Sequence, residues 1–202
     1  MQANEELSEE KKAEALTAWL HAAQDAADNA EHMLAIGLHK QVVNRILEPF
    51  QIMKVVVTST EWENFFWLRD HKDAQPEIRV LAQKMKQAMQ DSSPTELEYG
   101  MWHLPYVRQT FDGGSQVCYD EHGNVISIDD AIKISCSSCA QVSYRKLDTS
   151  LEKAEVIYDK LVNSEPVHAS AFEHVALCTE EFFNIGWTSE SIEGYMWSGL
   201  LS

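Results

Sequence analysis

The sequence predicts an α+β fold: a mainly helical single domain with a small β-sheet. Three observations lead there. Apolar residues recur at helical spacing in three separate stretches, a short hairpin pattern turns at His122-Gly123-Asn124, and 45% apolar residues in a chain of 202 suffice for a substantial core. The single domain is expected to span 1–202, with 92–128 as an inserted loop and hairpin.

The first helix runs from Ser8 to about Ile36, with Leu16, Trp19, Leu20, Ala23, Ala27, Ala30, Met33 and Leu34 on its apolar side. Glu9 and Glu10 suit its positive end, and Gly37 stops it. A second helix is expected over Lys40 to Leu47, ending ahead of Pro49, because a proline disfavours the helical region for its predecessor. Met53 to Val57 is β-branched and apolar, which fits a buried strand or an extended connector.

Thr58, Ser59 and Thr60 offer N-caps to a strongly aromatic helix, ENFFWLR. Phe65, Phe66, Trp67 and Leu68 make it apolar almost all round, so it is expected to be central and covered. Pro76 suits the first turn of the next helix, where its missing N–H costs nothing, and that helix continues through Met89. Ser92 to Ser115 has little periodicity and reads as a long functional or crossing loop; Gln116 to Ile128 reads as a hairpin. Helices follow at Asp129 to about Tyr144 and Ser150 to Val162, and a tight turn after Pro166 leads into the short HASAFEH helix. The tail, Glu180 to Ser202, is rich in Phe, Trp and Gly.

Charge limits the partners. Sixteen Lys+Arg against 32 Asp+Glu give −16, which repels a phosphate backbone and argues against nucleic acid. An anionic small molecule needs a local cationic cluster instead. No run of about 18 uncharged apolar residues occurs, and MQANEELSEEKK is unlike a secretory leader, so no membrane is expected and the location is expected to be cytoplasmic. Cys118, Cys136, Cys139 and Cys178 contain one C-x-x-C without a second pair; buried reduced thiols explain them more simply than a metal site. His71, Asp73 and Glu77 lack metal-ligand spacing and read as a solvated helix junction.

Several polar groups invite a functional reading. Arg69 follows four large apolar residues, so burial of its charge would demand a partner, either a ligand anion or Asp73 or Glu77. Asn64, Gln75 and Arg79 crowd the same junction. Arg45 ends a short helix, where it either answers the negative helix end or anchors a phosphate. In HASAFEH, Ser170 and Glu173 have capping-box spacing, but this leaves His168 and His174 in the same turn unexplained. A triad from Ser170, His174 and Glu173 is too crowded along one short helix for opposed geometry.

Four stretches resemble one family, the flavin-dependent thymidylate synthases. GLHKQVVNRILEP is similar to its G-x-x-(K/R)-E-x-A-R-x-x-L-P segment, and ENFFWLRDHKDAQPEIRVLA to its N-x-x-x-L-R-x-x-x-x-A-Q-x-E-I-R-x-Y-A helix pair. CAQVSYR resembles A-R-V-(S/C)-Y, and HASAFEH resembles H-x-S-P-F-E-H. The resemblance implies a nucleotide-binding role for Arg45, a catalytic and pyrimidine-binding role for Arg69, and flavin contacts from Asn64, His168, Ser170 and Glu173. It implies reductive methylation of dUMP with FAD, NADPH and methylenetetrahydrofolate in a homotetramer, and no metal. The segment order implies a circularly permuted, phage-like variant. The sequence departs from the family at Asp73 and Ala171, and the R-H-R-x7-S signature does not occur in it; a permuted chain would carry that signature ahead of residue 1, which suggests a partial reading frame or a reduced relative. The alternatives from other classes are a non-catalytic oligomerising or nucleotide-binding relative, and an acidic metal-dependent nucleotide hydrolase.

Overall fold

A computed structural model describes residues 6–59, 61–144 and 146–179, and the backbone of 196–199. The protein is mainly helical α+β, with two small antiparallel sheets. Two compact units divide the chain: Met1–Met53 with Glu63–Ala88, and Lys54–Trp62 with Met89–Ser202.

The first unit begins with α1, Glu9–Ala35, capped by the Ser8 hydroxyl, which accepts from the Lys11 amide at 3.4 Å. Gly37 takes φ +93°, a left-handed conformation that releases the chain from the helix. Next come α2, Lys40–Val43, and a 3-10 helix, Asn44–Phe50. The expected stop ahead of Pro49 is not observed: the chain tightens to 3-10 winding and carries Pro49 inside it, which brings Phe50 edge-on to Trp19 at 5.2 Å. Then follow α3, Glu63–Arg69, and α4, Pro76–Asp91, opened by its proline as expected. Gln83 Nε2 donates to Asp70 Oδ1 at 2.9 Å, and Lys86 Nζ lies 3.5 Å from Asp70 Oδ2, so one carboxylate joins the end of α3 to α4.

The aromatic helix is not covered as its composition suggests. No residue of α3 is buried, and Trp67 is 75% exposed. Seven residues make two turns, too few to wrap an apolar surface in neighbours of their own chain. Leu16, Trp19 and Leu20 on α1 are also exposed, and Ala30, Val43 and Ala82 are the buried apolar residues among those described in this unit.

The second unit holds the main core. Residues 54–59 form an extended connector that pairs with no strand among the described residues and leaves Val55 and Val57 exposed, so this stretch is a connector and not a buried strand. Ser59 does not cap α3; its hydroxyl closes a local turn with the backbone of Glu61. The stretch read as a loop contains β1, Trp102–His103, and β2, Arg108–Asp112. β2 pairs with β3, Ser115–Tyr119, through the Gly113-Gly114 turn, and β3 pairs with β4, Val125–Ile126. The turn at 120–124 is built by Asp120, whose carboxylate accepts from the amides of His122 and Asn124 and from Asn124 Nδ2. Gln116 links this sheet to β1, with Trp102 N donating to its Oε1 at 2.8 Å and its Nε2 donating to Trp102 O at 2.7 Å.

Helix α5, Ile128–Ala140, starts at the Ser127 cap and is the most buried element, with Ala131, Ile132, Ile134 and Cys136 in the core. It ends before the expected Tyr144, and residues 141–144 turn away. Helix α6, Leu151–Val162, is capped by Ser150 and packs on α5. A 3-10 helix, Ala169–His174, then leads into β5, Ala176–Thr179, which lies between β1 and β6, Met196–Gly199. Phe172, 2% exposed, meets Tyr158 of α6 edge-on at 5.4 Å; burying such a ring stabilises by about 1.5–3 kcal/mol and holds the 3-10 helix against α6. Apart from β6, the aromatic tail lies outside the described residues.

Candidate functional site

The second unit contains an open cavity of about 640 Å³. Its walls come from four separate pieces of chain. The connector supplies Lys54, Val55 and Val56; the end of α5 and the turn beyond it supply Cys139, Ala140, Val142 and Tyr144. Helix α6 contributes Lys153, Ile157, Lys160 and Leu161, followed by Ser164. Finally, His168, Ser170, Ala171 and His174 come from the 3-10 helix and the residue before it. Two stretches singled out in the sequence, CAQVSY and HASAFEH, therefore meet at one cavity although residues 145–167 separate them.

Local chemistry sets each wall. Gln141 is 2% exposed, and its Nε2 lies within hydrogen-bond reach of Ser137 O, Ser137 Oγ and Asp148 O at 2.9–3.2 Å. This ties the end of α5 to the residues leading into α6 and fixes the path of Val142 and Tyr144. At the far end of α6, the Ser164 hydroxyl donates to Leu161 O at 2.9 Å and accepts from the His168 amide at 2.9 Å. His168 Nδ1 lies 3.4 Å from Ser170 Oγ, and His174 Nδ1 lies 3.1 Å from Thr58 Oγ1 of the connector. The capping box suggested by Ser170 and Glu173 does not form: Ser170 sits inside the 3-10 helix, whose preceding residue, His168, makes no side-chain cap.

Burial depresses the His174 imidazole pKa, with Glu173 opposing, and burial with the charge of His174 depresses His103. Both rings favour the neutral form, able to donate at one nitrogen and accept at the other. Burial pushes the Cys139 thiol up to about 11 and Cys136 up to about 12, so neither is a ready nucleophile. All four cysteines are buried and unlinked.

Sequence expectation and geometry diverge over the first unit. Arg45 is exposed and engaged with Glu48, NH1 to Oε1 at 2.8 Å. Asn64 and Arg69 lie on α3 and are both exposed; five residues place them about 140° apart around the helix, so they do not share a face. The condition under which Arg69 would need a buried partner does not arise: α3 is open, and Arg69 is exposed and forms no ion pair among the described residues. Asp73 instead lies 3.6 Å from the His71 ring, with both side chains exposed. Arg79 has a buried Nε with no hydrogen-bond partner among the described residues. Among those residues no cluster of three or more His, Cys, Asp or Glu could hold a metal, and no helix is long and apolar enough to cross a membrane.

Within the second unit, His168 and Ser170 line the cavity and Glu173 does not, although Glu173 acts electrostatically on His174, which does. The three lysines of the walls were missed in the sequence. Lys153 and Lys160 stand seven apart, with Ile157 between them and Ser164 beyond, a one-face spacing that could have drawn notice.

Residues 2–95 match the family of thymidylate synthase complementing protein. The resemblance read from the sequence thus holds over a stretch that includes Arg45, Asn64, Arg69 and the Lys54–Val56 wall of the cavity. The other walls, with His168 and Ser170, lie beyond the matched residues, and so does Glu173. No curated protein and no solved structure matches the chain.

Proposed function

We propose that the chain is a flavin-dependent thymidylate synthase, carrying out reductive methylation of dUMP to dTMP with methylenetetrahydrofolate and NADPH, and that its cavity receives FAD. The observation that carries this reading is the convergence of CAQVSY and HASAFEH on one cavity, in a chain whose residues 2–95 match the thymidylate synthase complementing family. The lining suits the cofactor. Val56, Val142, Ile157 and Leu161 offer apolar contact to a planar ring, Tyr144 an aromatic one, and Ser170, His168 and His174 offer hydrogen bonds.

FAD, when bound, supplies the redox chemistry. The chain's own residues bind and orient. Ser170 and His168 would contact the flavin, with Glu173 acting through His174. Asn64 would add a flavin contact and Arg45 would hold the nucleotide, exchanging its present bond to Glu48 for the ligand. Arg69 would hold the pyrimidine and stabilise negative charge developing on its carbonyl region. Its exposed position leaves the guanidinium available for an anionic partner. A homotetramer in the cytoplasm completes the reading, with the open apolar residues of α1 and α3 as contact surfaces.

A second reading is a non-catalytic oligomerising or nucleotide-binding relative. It is favoured by the Arg45–Glu48 pair, which occupies the nucleotide-binding arginine internally. The two separate on one assay: purified chain with FAD, NADPH, methylenetetrahydrofolate and dUMP forms dTMP under the first, whereas under the second it makes none and retains no FAD after desalting.

A further inference from the structure

The chain carries 32 acidic residues among 202, yet among the described residues that line the cavity none is acidic and three are lysines. Lys54, Lys153 and Lys160 form no ion pair among the described residues. The neighbouring acids are engaged or directed elsewhere. Glu155 lies 3.8 Å from Lys133, Asp148 accepts from the amide and hydroxyl of Ser150, and Glu152 and Asp159 do not line the cavity. The hydrogen bonds from the Ser150 hydroxyl and amide, with lesser help from the charges of Lys146 and Lys153, hold the Asp148 carboxyl below the usual range. This is a local cationic region within a protein of net charge −16.

We propose that Lys54, Lys153 and Lys160 are the anion-binding edge of the cavity and hold the phosphate groups of a diphosphate-bearing nucleotide. The proposal rests on the reading of the cavity as a nucleotide-cofactor site, and adds residues to which no role is assigned by resemblance. Lys153 and Lys160 are two turns apart on one face of α6, separated by about 10 Å along the axis. Their long, flexible side chains can converge from that spacing on adjacent phosphate groups. Ile157 and Leu161 lie along the same helix beside the lysines, so the ring of the ligand meets apolar side chains while its phosphates meet ammonium groups. Lysine suits this edge as a flexible point charge with three donors, able to follow a ligand that moves during turnover.

The test compares FAD with riboflavin, which has the same ring system without phosphate, by fluorescence titration of the wild type and of a Lys153→Gln/Lys160→Gln variant. All three lysines are exposed, so melting temperature should be unchanged; a Lys153→Arg/Lys160→Arg variant retains the charge and serves as rescue. The expected result is FAD affinity falling about tenfold or more in the Gln variant, the loss typical of charge-assisted hydrogen bonds, with riboflavin affinity unchanged and FAD binding recovered in the Arg variant. Equal FAD binding by wild type and Gln variant overturns the lysine assignment and leaves the flavin reading standing. If neither flavin binds but ADP does, with lysine-dependent affinity, the flavin reading falls and the lysine assignment stands. Failure of all three ligands removes both.

Discussion

His174 Nδ1 and Thr58 Oγ1 lie 3.1 Å apart, joining residues separated by 116 positions in sequence. This hydrogen bond fastens the connector, which has no strand pairing among the described residues, to the 3-10 helix on another wall of the cavity. Thr58→Val keeps the shape and removes the hydroxyl. We expect a loss of about 0.5–1 kcal/mol in urea unfolding, small because the pair is exposed, together with weaker FAD binding. Unchanged values for both would mean that the bond does not hold the wall.

The two histidines give stability a pH dependence. His103 and His174 have folded pKa values below the ordinary 6.5, chiefly through burial. Below about 6.5 the unfolded chain therefore binds more protons than the folded one, and stability falls with acidification until the folded pKa values are passed. Urea unfolding at about pH 7.5 and pH 5.5 should show lower stability at the acid value. His103→Asn should flatten the slope; a variant as steep as the wild type would assign the dependence elsewhere.

Gln141 anchors the turn that carries Val142 and Tyr144. Gln141→Leu leaves the Asp148 and Ser137 carbonyls without this donor, and we expect about 2–3 kcal/mol of destabilisation by chemical denaturation. A cost under about 0.5 kcal/mol would show that the buried amide contributes little.

Arg69 offers a cleaner separation of stability from activity. It is exposed on α3 and forms no ion pair among the described residues, so Arg69→Ala should change unfolding free energy by less than about 0.5 kcal/mol. Turnover of dUMP should fall about 100-fold or more through loss of charge stabilisation. Equal dTMP formation in the variant would remove Arg69 from the mechanism.

Much of the helical framework was legible because its signals are local. The helices read from Ser8 and from Ser150, the opening of α4 by Pro76 and the turn at His122-Gly123-Asn124 all rest on contacts within a few residues, whereas the Ser127 cap of α5, just as local, went unread. What failed to read was tertiary. The aromatic run of α3 has the composition of a core helix, yet burial depends on partners that composition does not name, and Trp67 stands open. Strand β1 is two residues long and exists through pairing with Ala176 and Leu177, far along the chain. The cavity followed the same division. Its His168 and Ser170 were visible as a motif, whereas Lys54, Lys153 and Lys160 belong to no motif and become a cluster through folding alone.

FAD titration of the purified chain beside its Ser170→Tyr variant tests the central claim, that this cavity receives the flavin. Ser170 is exposed at the cavity wall, so a tyrosine there adds bulk to the cavity without entering the core. The account predicts saturable FAD binding by the wild type and its loss in Ser170→Tyr at unchanged melting temperature. FAD bound equally by both proteins, or by neither, would contradict it.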